Sequence, residues 1–220
     1  MSLIEWIRRR RQGEQLSLFE EPEPEDRPGH VKTTPVDVDQ DIARQLQHGY
    51  IAFDVETTGL NPKTDRIVEL GAVRFRDGKP AETFSTLVNC EMPMSAASIA
   101  ITQITNEMVK SAPSEDEIYG ALMDFLGDAA DGRTVMVAHN ARFDMDFLRT
   151  TLTRLGVDAE IRYADTLKLA RQYVPGLANY KQPTIAEHFG IDIHSAHRAA
   201  DDARVCGEML GRIVERIRNS

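Results

Sequence analysis

The sequence predicts an α/β domain with a mixed central sheet flanked by helices. Two patterns point there: three apolar strands open the folded part of the chain, and helices then alternate with short strands. Its 220 residues, 41% apolar, are ample for one such core and short for two.

The elements follow from local chemistry. Tyr50 to Glu56 (YIAFDVE) reads as a strand with apolar side chains on both faces until the acids begin. TTGLNPKTD is a turn punctuated by glycine and proline. RIVELGAVRF and AETFSTLV are strands joined by the hairpin signal Asp77-Gly78. Residues 114–128 form a helix, with Ser114 as cap and Glu117 completing a capping box. TVMVAH is a short buried strand, and residues 141–156 are a helix ended by Gly156. Further helices are expected near 165–173, 184–189 and 196–217. Residues 1–45 carry an arginine run (Arg8 to Arg11), the pentapeptide QLSLF and an acidic, proline-spaced segment. Their low hydrophobicity and high charge predict a disordered tail, which places the folded domain at 46–220.

A net charge of -9 argues against broad electrostatic capture of nucleic acid, while leaving room for an enzyme that concentrates carboxylates around cations. No apolar run approaches the roughly 18–20 residues of a membrane span. The amino terminus has its charges after its few apolar residues, the reverse of a secretory signal, so a cytoplasmic protein without membrane contact is expected. Cys90 and Cys206 stand far apart and outside any CxxC pair, and read as buried apolar residues.

The carboxylates are patterned. Asp54 and Glu56 are two apart on a strand, hence on one face, where they repel each other unless a cation sits between them. In the helix at 141–156, with roughly 100° per residue, Phe147, Leu148, Leu152 and Leu155 define a buried stripe. Asp144 falls within it, and Asp146 nearly opposite. In the last helix Asp202 lies within the stripe of Cys206, Met209, Leu210, Ile213 and Ile217, and Asp201 near the edge of the polar face. His197 stands five residues before Asp202, at the helix start. Four inward acids from three elements suit two Mg²⁺ or Mn²⁺ ions rather than zinc, and the histidine suits a general base.

FDVETTGL, VAHNARFDMDFL and AHRAADDA resemble the three motifs of the DEDDh group of 3′–5′ exonucleases, which includes proofreading subunits of bacterial replicative DNA polymerases. The resemblance covers about residues 48 to 217 and implies an RNase H-like fold. It implies that Asp54, Glu56, Asp144 and Asp202 are metal ligands and His197 the general base. The expected activity is hydrolysis of DNA from a single-stranded or frayed 3′ end to nucleoside 5′-monophosphates. Thr57 and Thr58 resemble residues whose backbone meets the 3′-terminal nucleotide, and Phe143 an aromatic of the same pocket; a plain turn and a core side chain are the alternatives for them.

The chain departs from the family pattern at Thr102-Gln103, where proofreading subunits commonly carry a histidine-glycine pair. It also ends after its last helix, where the usual subunit continues into a polymerase-binding tail, so direct polymerase binding by that route is not expected. QLSLF resembles the peptide by which bacterial proteins bind the sliding clamp: Gln15, Leu16, Leu18 and Phe19 would then be partner contacts. Two alternatives stay open: the same chemistry on RNA 3′ ends, and a non-catalytic adaptor linked to the clamp.

Overall fold

The computed structural model describes residues 28–219. Six strands form one sheet in the order β1-β6-β5-β2-β3-β4. These are β1 (Val31–Pro35), β2 (Gly49–Thr57), β3 (Ile67–Arg76), β4 (Lys79–Leu87), β5 (Met136–Ala138) and β6 (Ala159–Asp165). Strand β2 runs antiparallel to β3 and parallel to β5, so the sheet is mixed and β2 lies inside it, as the apolar run before Asp54 requires. The β3–β4 hairpin turns on Asp77 (φ 49°) and Gly78 (φ 73°), both left-handed as a tight two-residue turn demands.

Eight α-helices accompany the sheet among the described residues: α1 (Gln40–His48), α2 (Ala96–Thr102), α3 (Asn106–Lys110), α4 (Glu115–Leu126), α5 (Arg142–Arg154), α6 (Thr166–Tyr173), α7 (Gln182–Phe189) and α8 (Ala199–Arg218). Glu117 accepts from both the amide and the hydroxyl of Ser114, closing the expected capping box on α4. The chain leaves α5 through Gly156 at φ 69°. None of the described helices is long and apolar enough to cross a membrane.

Two cores lie on opposite faces of the sheet. Ile51, Phe53 and Val55 of β2 pack with α4 and α5 residues such as Leu122, Phe147 and Leu148. Tyr50 and Ala52 face α8 with Val73 and Phe75 of β3. The α8 face of the β2–β3 ladder therefore reads, in cross-strand pairs, Tyr50/Phe75, Ala52/Val73, Asp54/Gly71 and Glu56/Glu69. Each step along the strands keeps the face and changes the chemistry, from stacked rings (centroids 4.8 Å apart) to carboxylates. Two glycines let α8 lie against this face. A Cβ on Gly71 would fall 2.1 Å from the Ala199 carbonyl carbon, and one on Gly207 would fall 2.1 Å from the Phe75 ring. The Tyr50 hydroxyl donates to the Gly207 carbonyl at 2.8 Å and fixes the same contact.

The expected domain boundary at 45/46 needs correction. Residues 31–48 form β1 and α1; Ala43 and Leu46 are fully buried in the α8-side core, and β1 pairs with β6 over its whole length. A short edge strand containing lysine and proline has little apolar signal of its own, and α1 buries few residues, so composition alone does not distinguish either from linker. β6, α2 and α3 are likewise short, at five to seven residues, and take their shape from neighbours, so local periodicity does not announce them. The arginine run and QLSLF lie outside the described residues.

Gly207→Ala tests the close approach of α8 to β3. Overpacking against the Phe75 ring is expected to cost about 1–3 kcal/mol, read as a lower Tm in a thermal melt, whereas Gly190→Asn, at a left-handed helix end with open space around it, is expected to lower Tm less.

Candidate active site

The site forms where β2 runs beyond β5. The last β2 residue paired with β5 is Ala52. Further on, the Val55 amide points to the vacated side and donates to Asp144 Oδ1 at 3.2 Å. This bond brings the first turn of α5 to Asp54 and Glu56. Asp144 is buried, on the inward stripe expected from the helix periodicity, while Asp146 sits at the surface between Arg142 and Arg149.

The start of α8 supplies the other half. Oxygens of Glu56 and Asp202 and a ring nitrogen of His197 lie within 4.8 Å of one another. Asp202 is held by two contacts: Oδ2 accepts from the His197 amide at 3.0 Å, and Oδ1 from Gln182 Nε2 on α7 at 3.1 Å. Its neighbour Asp201 has different partners. It accepts from the His194 and Ser195 amides and from Arg204, which holds it below the usual carboxylate range despite partial burial. Two adjacent acids thus sit in different environments, set by what each one binds. His197 is exposed, with φ 61° in the left-handed region, so its ring stands at the rim of the site.

The electrostatics fit a cation-binding centre. Burial first, then the neighbouring acids Asp144, Asp202, Glu56 and Glu69, push Asp54 well above the ordinary carboxylate range. Glu56 is pushed up to about 7, by burial and then by Asp202 and Glu69, with Arg198 pulling the other way. Burial drives Asp144 up to about 8 although the Val55 amide stabilises its charge. Asp202 is raised by burial against the pull of the His197 amide and ring. Four carboxylates that resist ionising together form an all-oxygen donor set, which suits a hard divalent cation.

Thr57 and Thr58 are buried with their hydroxyls engaged. Thr57 Oγ1 donates to the Gly59 carbonyl at 2.6 Å, and Thr58 Oγ1 accepts from the Arg66 amide at 3.0 Å. Phe143 is half-buried beside Phe147. The Thr58 carbonyl accepts from Ser98 Oγ, tying the loop after β2 to α2. Each of these two segments carries a prominently exposed large apolar side chain, Leu60 at 83% and Ile101 at 57%. Thr102 is turned inward, bonded to the Ser98 carbonyl and the Ile104 amide, and Gln103 takes a left-handed conformation (φ 57°) as the helix cap.

The sequence reading missed Glu69, Arg198 and Gln182. Glu69 was visible as one acid on the apolar parity of RIVELGAVRF, shared with Gly71, Val73 and Phe75. Gln182 carried no local signal, because its partner is twenty residues away on another helix.

Residues 51–210 match the Exonuclease family profile (RNase T). Over 172 residues the chain is 37% identical to the DNA polymerase III PolC-type protein of Caldanaerobacter subterraneus subsp. tengcongensis, in a match covering 78% of this chain and 12% of that protein. The chain thus spans a small part of that relative's length. Among solved structures, E. coli exonuclease I in complex with a dT13 oligonucleotide superposes with a TM-score of 0.67 at 19% identity, covering 77% of this chain and 42% of that one. Exonuclease X in complex with 5′ overhanging duplex DNA superposes with a TM-score of 0.57 at 28% identity, covering 76% and 90%. The fold is RNase H-like, as the sequence resemblance implied.

The carboxylate crowding has a measurable sign. Unfolded carboxylates titrate near 4, whereas the folded Glu56 titrates at about 7. Between those values the native state binds more protons than the unfolded one, so stability falls as pH rises through that window. In chelator, Tm is expected to be higher at about pH 5.5 than at about pH 8, and Asp54→Asn is expected to flatten that slope while raising Tm at the higher pH.

Proposed function

The chain belongs to the Exonuclease family, and on that premise we propose that it is a metal-dependent 3′–5′ exonuclease that hydrolyses DNA from its 3′ end to nucleoside 5′-monophosphates. The observation that carries the reading is the meeting of Glu56, Asp202 and His197 within 4.8 Å, beside the crowded acids Asp54 and Asp144. DNA is favoured as substrate by the company the chain keeps: a relative named for DNA polymerase III, and neighbours that hold a dT13 oligonucleotide and overhanging duplex DNA.

Asp54, Glu56, Asp144 and Asp202 are the residues to hold two Mg²⁺ or Mn²⁺ ions, which when bound supply positive charge against the scissile phosphate. His197 is the base. Its ring stands at the rim next to Glu56 and Asp202, where it takes a proton from the attacking water. The water oxygen bonds to phosphorus as the bond to the penultimate 3′ oxygen breaks. That oxygen collects a proton from solvent, and the terminal nucleotide departs with its 5′-phosphate. The backbone at Thr57 and Thr58, with Phe143, lines the terminal nucleotide. Leu60 and Ile101 offer apolar surface to its base, in place of the side chain that Thr102 turns inward.

A protein of net charge -9 holds DNA weakly by itself. In this reading QLSLF supplies the missing residence time: Gln15, Leu16, Leu18 and Phe19 dock on the sliding clamp and raise the local concentration of 3′ ends in the cytoplasm.

Two experiments test the proposal. A 5′-labelled DNA oligomer with Mg²⁺ or Mn²⁺ is expected to give a shortening ladder that Asp54→Ala abolishes, and His197→Ala is expected to lower kcat roughly 100- to 10,000-fold. An intact oligomer under every metal, or preferential cutting of a matched RNA, would refute it. The double variant Leu18→Ala/Phe19→Ala is expected to keep its rate on free oligomer and lose its advantage on clamp-loaded primers; an unchanged advantage would remove the clamp from the account.

A further inference from the structure

Glu69 is 1% exposed and lies directly across the ladder from Glu56, on the same face of the sheet. A carboxyl group at that depth, opposite another acid, is unfavourable unless donors satisfy its oxygens. Its oxygens are divided between two kinds of partner. Oε1 accepts from Arg198 Nε at 3.0 Å and Nη2 at 2.7 Å, and Oε2 accepts from the Ala199 amide at 3.2 Å. One carboxylate therefore grips both a side chain and the backbone of the residues that follow His197.

Two further observations converge on that corner. Gly71, two residues along the same face of β3, leaves no room for even a methyl group between the strand and Ala199. Strand and helix start are in direct backbone contact there. His197 itself has a left-handed backbone (φ 61°), a conformation that costs energy for a non-glycine residue and persists where the surroundings over-determine it. The surroundings do so from both sides: the His197 amide is bound to Asp202, and the next two residues are bound to Glu69.

We infer that Glu69 is a positioning residue for the proposed hydrolysis, gripping Arg198 and the Ala199 amide from β3 and so holding His197 and Asp202 in place beside Glu56. The inference rests on the exonuclease reading given above. A pair kept only to fill space does not need this arrangement, because an apolar replacement of similar volume serves a core as well. Arg198 is 47% exposed on its outer side, so the grip reaches from the buried strand to the rim where His197 stands.

The test uses the full chain with Glu69→Gln, which keeps shape and loses charge, and Arg198→Lys, which keeps charge and loses the two-pronged contact. Tm, Mn²⁺ affinity by calorimetry, and kcat and KM on a 5′-labelled DNA oligomer are measured for each. For Glu69→Gln, kcat and Mn²⁺ affinity are each expected to fall roughly 10- to 100-fold, with oligomer KM within about threefold of the parent; Arg198→Lys is expected to fall between. The double variant Glu69→Ala/Arg198→Ala is expected to lose no more than Glu69→Ala alone, because the two act as a unit. Unchanged kcat and Mn²⁺ affinity in Glu69→Gln would overturn the inference. So would losses that disappear at a temperature where the variant is fully folded, or losses that add in the double variant. The Mn²⁺ measurement stands even if the parent protein cuts no oligomer, so failure of the exonuclease reading and failure of the positioning role give different results.

Discussion

Four carboxylates, from Asp54, Glu56, Asp144 and Asp202, crowd one end of β2 at a depth where water screens them poorly, and Glu69 adds a fifth acid on the adjoining strand. Burial disfavours the charged forms of the four, and their mutual repulsion pushes in the same direction. What keeps the arrangement together is a set of donors supplied one at a time by different elements: the Val55 amide for Asp144, Gln182 and the His197 amide for Asp202, Arg198 and the Ala199 amide for Glu69. Each donor offsets part of the cost of burying the oxygen it binds.

The apolar architecture serves the same end. The β2–β3 face begins with stacked Tyr50 and Phe75, which α8 covers closely because Gly207 adds no side chain. The helix is then fixed in direction, and its start reaches the acidic end of the same face. On the other side, α5 is seated by Phe147, Leu148 and Leu152, which leaves Asp144 at its first turn facing β2. Two hydrophobic contacts, one per face, aim the polar ends of two helices at one strand. Neither contact touches the chemistry, yet both decide where it happens.

Much of the centre was legible because periodicity is local. A spacing of two on a strand puts Asp54 and Glu56 together, and helical spacing separates Asp144 from Asp146. The family resemblance of three motifs named the same residues and the fold. The capping box at Ser114, the hairpin at Asp77-Gly78 and the end of α5 at Gly156 were readable for the same reason, since each is a rule about neighbours in sequence. The start of the folded region was misplaced because β1 and α1 have little apolar content, and their order comes from β6 and α8.

The sequence by itself determined which residues share a face: the acids of β2, the inward acid of each helix, and the histidine ahead of Asp202. Those relations depend only on the geometry of strand and helix, which every residue of the element obeys. Tertiary structure alone decided what each acid is paired with. That Asp144 binds the Val55 amide, that Asp202 is braced by Gln182, and that Glu69 reaches 129 residues along the chain to Arg198 follow from sheet order and from the close seat of α8 on Gly71. Such partners are set by packing between distant segments, and no spacing rule within one element carries that information.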